Sequence, residues 1–339
     1  MTFGKTYNNQ TKNLKISPKV MKVTVIGAGG NVGSTVALSV AQRDFAKEVI
    51  ALDLERKQDD KTFYPSKGRA LDQWEASPIH LFDTRVKGTT DYADTAGSNV
   101  CVITAGVPRR PGMSRDDLLE INANIVRSVT TELVKYSPET ILIIVSNPLD
   151  VMVQVAKDES RLPYEKVMGM AGILDTARYR AFIADELDVS PKDIQALLMG
   201  GHGDTMVPLP RFTTLSGIPI TQFISEERLD EIVGRAKKGG GEIVGLMGTS
   251  AWYAPGAAAA QMVEAILLDQ NRIFPVCAHI DGEYGIDDLY IGVPVKLGKS
   301  GVKEVIEVEL TKKESELLHK SAKAVRGTLD DFKALMNNK

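Results

Sequence analysis

A largely apolar, β-branched segment over 20–26 runs straight into Gly27-Ala28-Gly29-Gly30-Asn31-Val32-Gly33. Helical periodicity follows at once, with Val36, Ala37, Val40 and Ala41 on one face. A strand that turns into a helix through glycines leaves few folds open. The glycines permit a tight turn, and the helix start presents unpaired N–H groups at the positive end of its dipole. Such a loop suits a phosphate group, and it serves equally as a tight turn with no ligand. The spacing is G-x-x-G-x-x-G on Gly27, Gly30 and Gly33, with Gly29 extra.

Three more continuous apolar runs follow, over 49–52, 99–104 and 141–145. Between the last two, residues 116–136 carry Leu118, Ile121, Ile125, Val129 and Leu133 at helical steps. Buried strands alternating with amphipathic helices predict an α/β fold, a Rossmann-type doubly wound parallel sheet. Past Asp150 the pattern changes. Helices are expected over 149–156 and 174–187, and short strands over 193–199 and 206–209. Strands are expected again over 273–280, 289–297 and 302–308, before a terminal helix from about Lys312. This second part reads as an α+β domain. The expected division is 1–20 as a disordered extension, 21–150 as the dinucleotide-binding domain and 151–339 as the substrate and catalytic domain.

The bulk numbers exclude several classes. Net charge is −3 and no half of the chain is strongly basic, which speaks against nucleic-acid binding. No apolar run approaches the roughly 20 residues of a membrane-spanning helix. Residues 1–20 hold no acidic side chain and lack the apolar core of a secretory signal; without an arginine they also depart from the usual transit peptide. Cys101 and Cys277 sit in apolar runs and read as reduced, buried thiols of a cytoplasmic protein. No cluster has the spacing of metal ligands, so no metal is expected.

Four features carry chemistry. Asp53 ends the second run, twenty residues past Gly33; an acid there can accept from both ribose hydroxyls and would repel a 2′-phosphate, so NAD is expected over NADP. His202 lies in Met199-Gly200-Gly201-His202-Gly203-Asp204, where glycines allow close approach to a substrate. It suits a proton donor and acceptor near neutral pH, or a plain turn histidine. Asp175 and Arg178 fall on one helix face. They form either an intrahelical ion pair or a device that orients an imidazole and grips a carboxylate. The loop Gly106-Val107-Pro108-Arg109-Arg110-Pro111-Gly112-Met113-Ser114-Arg115 follows the third strand. Its three arginines make an anion clamp or a solvated basic loop. The other histidines, His80 in an expected surface loop, His279 in a strand and His319 on a charged helix, read as structural.

Taken in this order, these clusters resemble the lactate/malate dehydrogenase family, most closely its lactate-like malate branch found in prokaryotes. The resemblance covers residues 21–335. Its signatures are Ile103-Thr104-Ala105-Gly106, Val145-Ser146-Asn147-Pro148-Leu149-Asp150, Gly172-Ile173-Leu174-Asp175-Thr176-Ala177-Arg178 and Gly200-Gly201-His202-Gly203-Asp204. It implies NAD-dependent oxidation of (S)-malate to oxaloacetate, with His202 taking the hydroxyl proton and Asp175 as its partner. Substrate contacts are implied for Arg109, Arg115, Asn147, Arg178 and Ser250. Cofactor contacts are implied for Gly27, Gly29, Gly30, Asn31, Val32, Gly33, Asp53, Thr104, Ala105, Gly106, Asn122, Val145 and Asn147. The loop over 107–115 is expected to close over the substrate and exclude water. A homo-oligomer is implied, a tetramer in preference to a dimer.

Arg109 carries the expected choice between malate and lactate. In lactate enzymes the matching position is typically a neutral amide. A buried arginine facing a methyl group would be an unpaired charge costing roughly several kcal/mol, whereas a second carboxylate pairs it. By register Arg109 is preferred to Arg110. A lactate enzyme on the same scaffold is the first alternative, and a non-catalytic dinucleotide sensor the second. Two departures stand out. The glycine spacing is closer to the mitochondrial-type malate enzymes. The segment 55–67 is several residues longer than the turn that usually follows the acid, and it could reshape the adenosine pocket.

Overall fold

The computed structural model describes residues 21–108 and 114–337. The first strand, β1 (Lys22–Ile26), is buried at every residue but its first, and leads through the glycine turn into α1 (Asn31–Gln42). Strand β2 (Glu48–Leu52) follows. The long segment after Asp53 then forms an exposed hairpin, β3 (Arg56–Gln58) with β4 (Lys61–Phe63). Helices α2 (Pro65–Glu75) and α3 (Ser77–His80) come next, so His80 ends a short helix and not a loop. Strand β5 (Arg85–Thr89), which sequence patterning misses, pairs parallel with β2 at the sheet edge. Its R-V-K-G-T sequence is half-exposed, as an edge position allows.

Strand β6 (Val100–Ile103), helix α4 (Arg115–Tyr136), strand β7 (Ile141–Ile144) and helix α5 (Leu149–Ser160) continue the alternation. Strand β8 (Val167–Gly169), also unanticipated, is a sixth parallel strand beside β7. Helix α6 is Gly172–Leu187. The stretch expected as one strand over 193–199 splits in two. Strand β9 (Ile194–Gln195) and strand β10 (Leu198–Met199) join different small sheets, β10 with β11 (Val207–Pro208) and β9 with β12 (Thr214–Leu215), which pairs β13 (Ile218–Pro219). Helices α7 (Glu226–Met247) and α8 (Tyr253–Leu267) precede the antiparallel strands β14 (Arg272–Ile280), β15 (Leu289–Gly298) and β16 (Gly301–Val305). The terminal helix is α9 (Lys312–Asn337).

Among the described residues the main sheet has nine strands, in the order β16-β15-β14-β8-β7-β6-β1-β2-β5. Chain order reverses between β1 and β6. The β1-to-β2 crossover runs one way along the sheet and the β6-to-β7 crossover the other. Right-handed crossovers in opposite directions put α1 and α4 on opposite faces. Accordingly α1 packs with α8 and α2, and α4 with α5 and α9. The register lines up Ile26, Leu52, Ile103, Ile144 and Gly169 across the sheet. Gly27, Asp53, Thr104 and Val145 therefore emerge together at the carboxyl edge, at the reversal point where ligands of such sheets bind.

Candidate active site

The glycine turn is built by close approaches. Gly27 has φ +82°, and its N–H bonds Leu52 O at 2.9 Å. A Cβ on Gly33 would lie 2.5 Å from Gly27 O and 2.7 Å from Thr104 Oγ1, so only glycine lets α1 sit this near β1 and β6. No side chain caps α1, and no acidic residue occupies its first turn, where Asn31, Val32 and Gly33 stand. A helix start of this kind attracts an anion. Asp53 places one carboxylate oxygen 2.8 Å from Gly29 N, which donates to it, and the other 2.7 Å from Leu54 N. A side chain on Gly29 would meet that carboxylate at 2.7 Å. An uncapped helix start with an acid fixed beside it fits the pyrophosphate and ribose of a dinucleotide. The hairpin over 56–63 rises directly after this acid.

Thr104 donates to Ile26 O, and Ala105 O accepts from Ser146 Oγ at 2.6 Å. Val145 is tied to the neighbouring strand through Ile103 O. Asn122 of α4 is 2% exposed and its amide is fully engaged. It accepts from Val107 N and donates to Val107 O and Asn147 O. Any influence it has on a cofactor therefore passes through the two segments it braces. Arg109 and Arg110 lie outside the described residues. Of Arg115 the structure gives the backbone, which opens α4 behind the Ser114 cap.

On the far side of the same edge, Asp175 in the first turn of α6 is 2% exposed and spends both oxygens. Oδ2 is 2.8 Å from His202 Nδ1, and Oδ1 accepts from Arg178 at 3.3 Å. The histidine loop is pinned on three sides. Gly200, at φ +84°, exchanges backbone bonds with Gly292 of β15. Gly201 N donates to Ser321 Oγ of α9, and Asp150 of α5 lies by His202 N. His202 itself stays 22% exposed. Burial lowers its tendency to hold a proton, but the Asp175 charge and hydrogen bond, with Asp150 behind, outweigh that and raise its pKa above the ordinary value. Arg178 keeps its Nε buried without a hydrogen-bond partner among the described residues. A guanidinium so placed is fitted to receive a carboxylate.

His202 and Asn147 share a cavity of about 640 Å³ with Asp150 and Thr205; Val325 and Thr328 of α9 close its far wall. The sequence gives no hint of α9 here, because its lining residues lie over a hundred positions from His202. Ser250 is exposed in the turn between α7 and α8 and does not line this cavity. Two of the three remaining histidines are engaged elsewhere, and His80 is exposed at the end of α3. His279 stacks on Tyr164 and bonds Asp288, and His319 bonds Ser315 O one turn before it. Both cysteines are buried and unpaired. Among the described residues no group of three or more His, Cys, Asp or Glu is placed to hold a metal ion. No described helix is long and apolar enough to cross a membrane.

A buried carboxylate that orients an imidazole, a guanidinium beside it and a dinucleotide cradle on the same edge can move a proton next to a bound nicotinamide. Comparisons with known proteins agree with that chemistry. Residues 21–169 match the family model for the lactate/malate dehydrogenase NAD binding domain, and 173–336 that for its alpha/beta C-terminal domain. The chain is 62% identical over 315 residues to a malate dehydrogenase of Salinibacter ruber, covering 93% of this chain and 98% of that protein. It is 57% identical over 311 residues to a malate dehydrogenase of Cytophaga hutchinsonii, covering 91% and 97%. The solved 1.55 Å structure of malate dehydrogenase from Salinibacter ruber superposes with a TM-score of 0.88 at 59% identity, covering 94% of this chain and 99% of that one.

Proposed function

The chain belongs to the lactate/malate dehydrogenase family, and from that premise we propose the site assignments below. It is an NAD-dependent oxidoreductase that interconverts (S)-malate and oxaloacetate. Bound NAD supplies the hydride acceptor in the oxidation direction. The observation that carries the site assignment is Asp175 bridging His202 and Arg178.

Arg178 holds the carboxylate next to the reacting carbon, and Asn147 orients the hydroxyl at the cavity mouth. Neutral His202 takes the hydroxyl proton on Nε2 while Asp175 keeps Nδ1 protonated and stabilises the imidazolium. In reduction His202 starts protonated and returns that proton to the oxygen. Arg109 pairs with the second carboxylate, and Arg115 polarises the carbonyl. Ser250 contributes from the α7–α8 turn once substrate is bound. Gly27, Gly29, Gly30, Asn31, Val32 and Gly33 carry the pyrophosphate. Asp53 carries the adenosine ribose, and Thr104, Ala105, Gly106, Val145 and Asn147 flank the nicotinamide half, with Asn122 bracing them. The proposed division stays at about residue 150, with the NAD-binding part before it and the substrate part after it.

The ratio of oxaloacetate to pyruvate turnover with NADH tests the substrate. Oxaloacetate should win by two orders of magnitude or more, since a site built for a charged group rejects an analogue lacking it by roughly 10⁴-fold or more. Parity would return the assignment to a general 2-hydroxy-acid enzyme. Arg109→Gln should cut oxaloacetate reduction far more than pyruvate reduction, and equal losses would remove Arg109 from the specificity role. His202→Asn should abolish turnover, by about 10³-fold or more, with NADH binding nearly intact by fluorescence titration.

A cytoplasmic location is proposed from the two buried, unpaired thiols; burial pushes Cys101 up to about 11. A homo-oligomer, a tetramer before a dimer, is proposed as well. Most apolar residues of α8 are buried within the chain. The candidate contact surface is instead the exposed end of α7 and the start of α8, with Val244, Leu246, Met247 and Tyr253. Light scattering on the purified protein distinguishes the states.

A further inference from the structure

Positive charge gathers at the start of α1 without an anion to balance it. The helix dipole turns its positive end to the glycine turn, with no side-chain cap and no acid in the first turn. Asp53, the acid fixed at this turn, spends its two oxygens on the N–H groups of Gly29 and Leu54. The side chain that comes to the α1 start from α2 is a cation. Arg69 donates from Nη2 to Asn31 Oδ1 at 2.8 Å. It is half-buried. Among the described residues it forms no ion pair, and its remaining N–H donors have no partner.

Other contacts hold α2 in this position. Gln73, one turn further along the Arg69 face, donates to Ser34 O at 2.8 Å and to Ser34 Oγ at 2.9 Å, and both residues are buried. Pro65 at the head of α2 lies 3.0 Å from where a Cβ on Gly29 would stand. Lys67, the other cation of this helix, is turned to a different task, with Nζ 4.4 Å from the centre of the Tyr64 ring. A guanidinium beside the positive end of a dipole is unfavourable until an anion meets both. The helix start offers roughly half an elementary charge, against about two on a diphosphate, so a further cation is needed.

We propose that Arg69 is a binding residue for the diphosphate of NAD, oriented by the Asn31 side chain, an assignment that rests on the glycine turn as the diphosphate cradle. Asn31 then serves twice. Its main chain belongs to the helix start that faces the phosphates, and its side chain aims the guanidinium at them. The planar fork suits two phosphate oxygens at once.

The test compares Arg69→Gln, Arg69→Ala, Arg69→Lys and Lys67→Gln in the full chain, by calorimetric titration with ADP and with adenosine. Both probes fill the adenosine end, and ADP alone carries the diphosphate. In R69Q and R69A the ADP affinity should fall on the order of tenfold and the adenosine affinity hold within about twofold, because the lost contact is charge-assisted and made to phosphate. R69K keeps the charge without the fork and should lie between. K67Q should leave ADP affinity within about twofold of wild type, since an exposed charge directed elsewhere is screened.

An R69Q or R69A protein with the wild-type ratio of ADP to adenosine affinity overturns the proposal, even if its Tm has fallen. So does an equal loss for both probes, which would leave Arg69 a brace between α1 and α2, and so does a K67Q loss as large as that of R69Q. If neither neutral variant folds, R69K decides, and an ADP affinity equal to wild type overturns the proposal. A wild-type protein that binds ADP no more tightly than adenosine would instead overturn the diphosphate cradle, so the two failures are separable.

Discussion

Asp175 is asked to satisfy two cations at once, and its two oxygens keep the tasks apart. The imidazole takes Oδ2 and the guanidinium takes Oδ1. At 2% exposure its charge is little screened by water. Asp175→Asn should therefore lower turnover by about 10²-fold or more, because the amide no longer fixes the tautomer or offsets the imidazolium. The pH dependence follows with a definite sign. His202 is raised above its ordinary value because Asp175, aided by Asp150, outweighs burial. Oxaloacetate reduction needs the protonated ring and falls as pH rises through that pKa; malate oxidation needs the neutral ring and falls as pH drops through it. Without the Asp175 charge, burial acts with less opposition and the pKa drops. Both limbs should then move to lower pH in kcat/KM profiles, and profiles that stay in place would refute the assigned role. Arg178→Lys keeps a charge but loses the planar fork. It should raise KM for oxaloacetate by about tenfold to a hundredfold and leave NADH affinity unaltered in a titration.

At the scale of elements, the glycines separate into those the packing requires and those it does not. A Cβ on Gly33 collides with Gly27 O and Thr104 Oγ1, and neither the turn nor β6 can move aside cheaply. Gly33→Ala should cost about 1–3 kcal/mol in urea unfolding and weaken NADH binding about tenfold or more. Gly68, exposed within α2, has nothing within 4 Å of where its Cβ would be. Gly68→Ala should stabilise by about 0.5–1 kcal/mol through helix propensity alone. Equal effects at the two sites would contradict the packing account. The same contrast explains what was legible in advance. Strands β1, β2, β6 and β7 are almost wholly buried, so they read as largely apolar runs. Strand β5 has one wet edge, and β8 is only Val-Met-Gly, too short for any period to show. Asp175, Arg178 and His202 were legible because glycines and helical spacing mark them locally. Asp150 stood in a quoted motif without a role. Its one signal was an acid inside the apolar run Leu149-Asp150-Val151, and the Cys277 thiol it meets is 127 positions away.

For the whole molecule the decisive contact is the seam between the parallel strands and the antiparallel β14–β16. It is narrow in register, with Cys277 opposite Gly169 as the pair that joins β14 to β8. It is nevertheless close-packed. A Cβ on Gly169 would lie 2.7 Å from Val153 Cγ2 and 3.0 Å from Cys277 Cβ. The larger core runs through it, from Val23 and Val36 through Leu149 and Cys277 to Leu318 and Phe332, while a second cluster from Tyr179 and Ile183 to Leu229 and Ala236 packs the later part of α6 against α7. Cofactor cradle and substrate loop thus hang on a single body, and neither part can open without exposing apolar surface of the other. Calorimetry should accordingly show one unfolding transition. NADH at a hundred times its Kd stabilises the folded state by about 2.7 kcal/mol, so this transition should rise by several degrees as a unit. Two resolved transitions, with NADH moving only the first, would mean that the seam does not couple the parts. The His202 loop, which bonds to α5, β15 and α9 together, would then be held by a looser frame than its geometry requires.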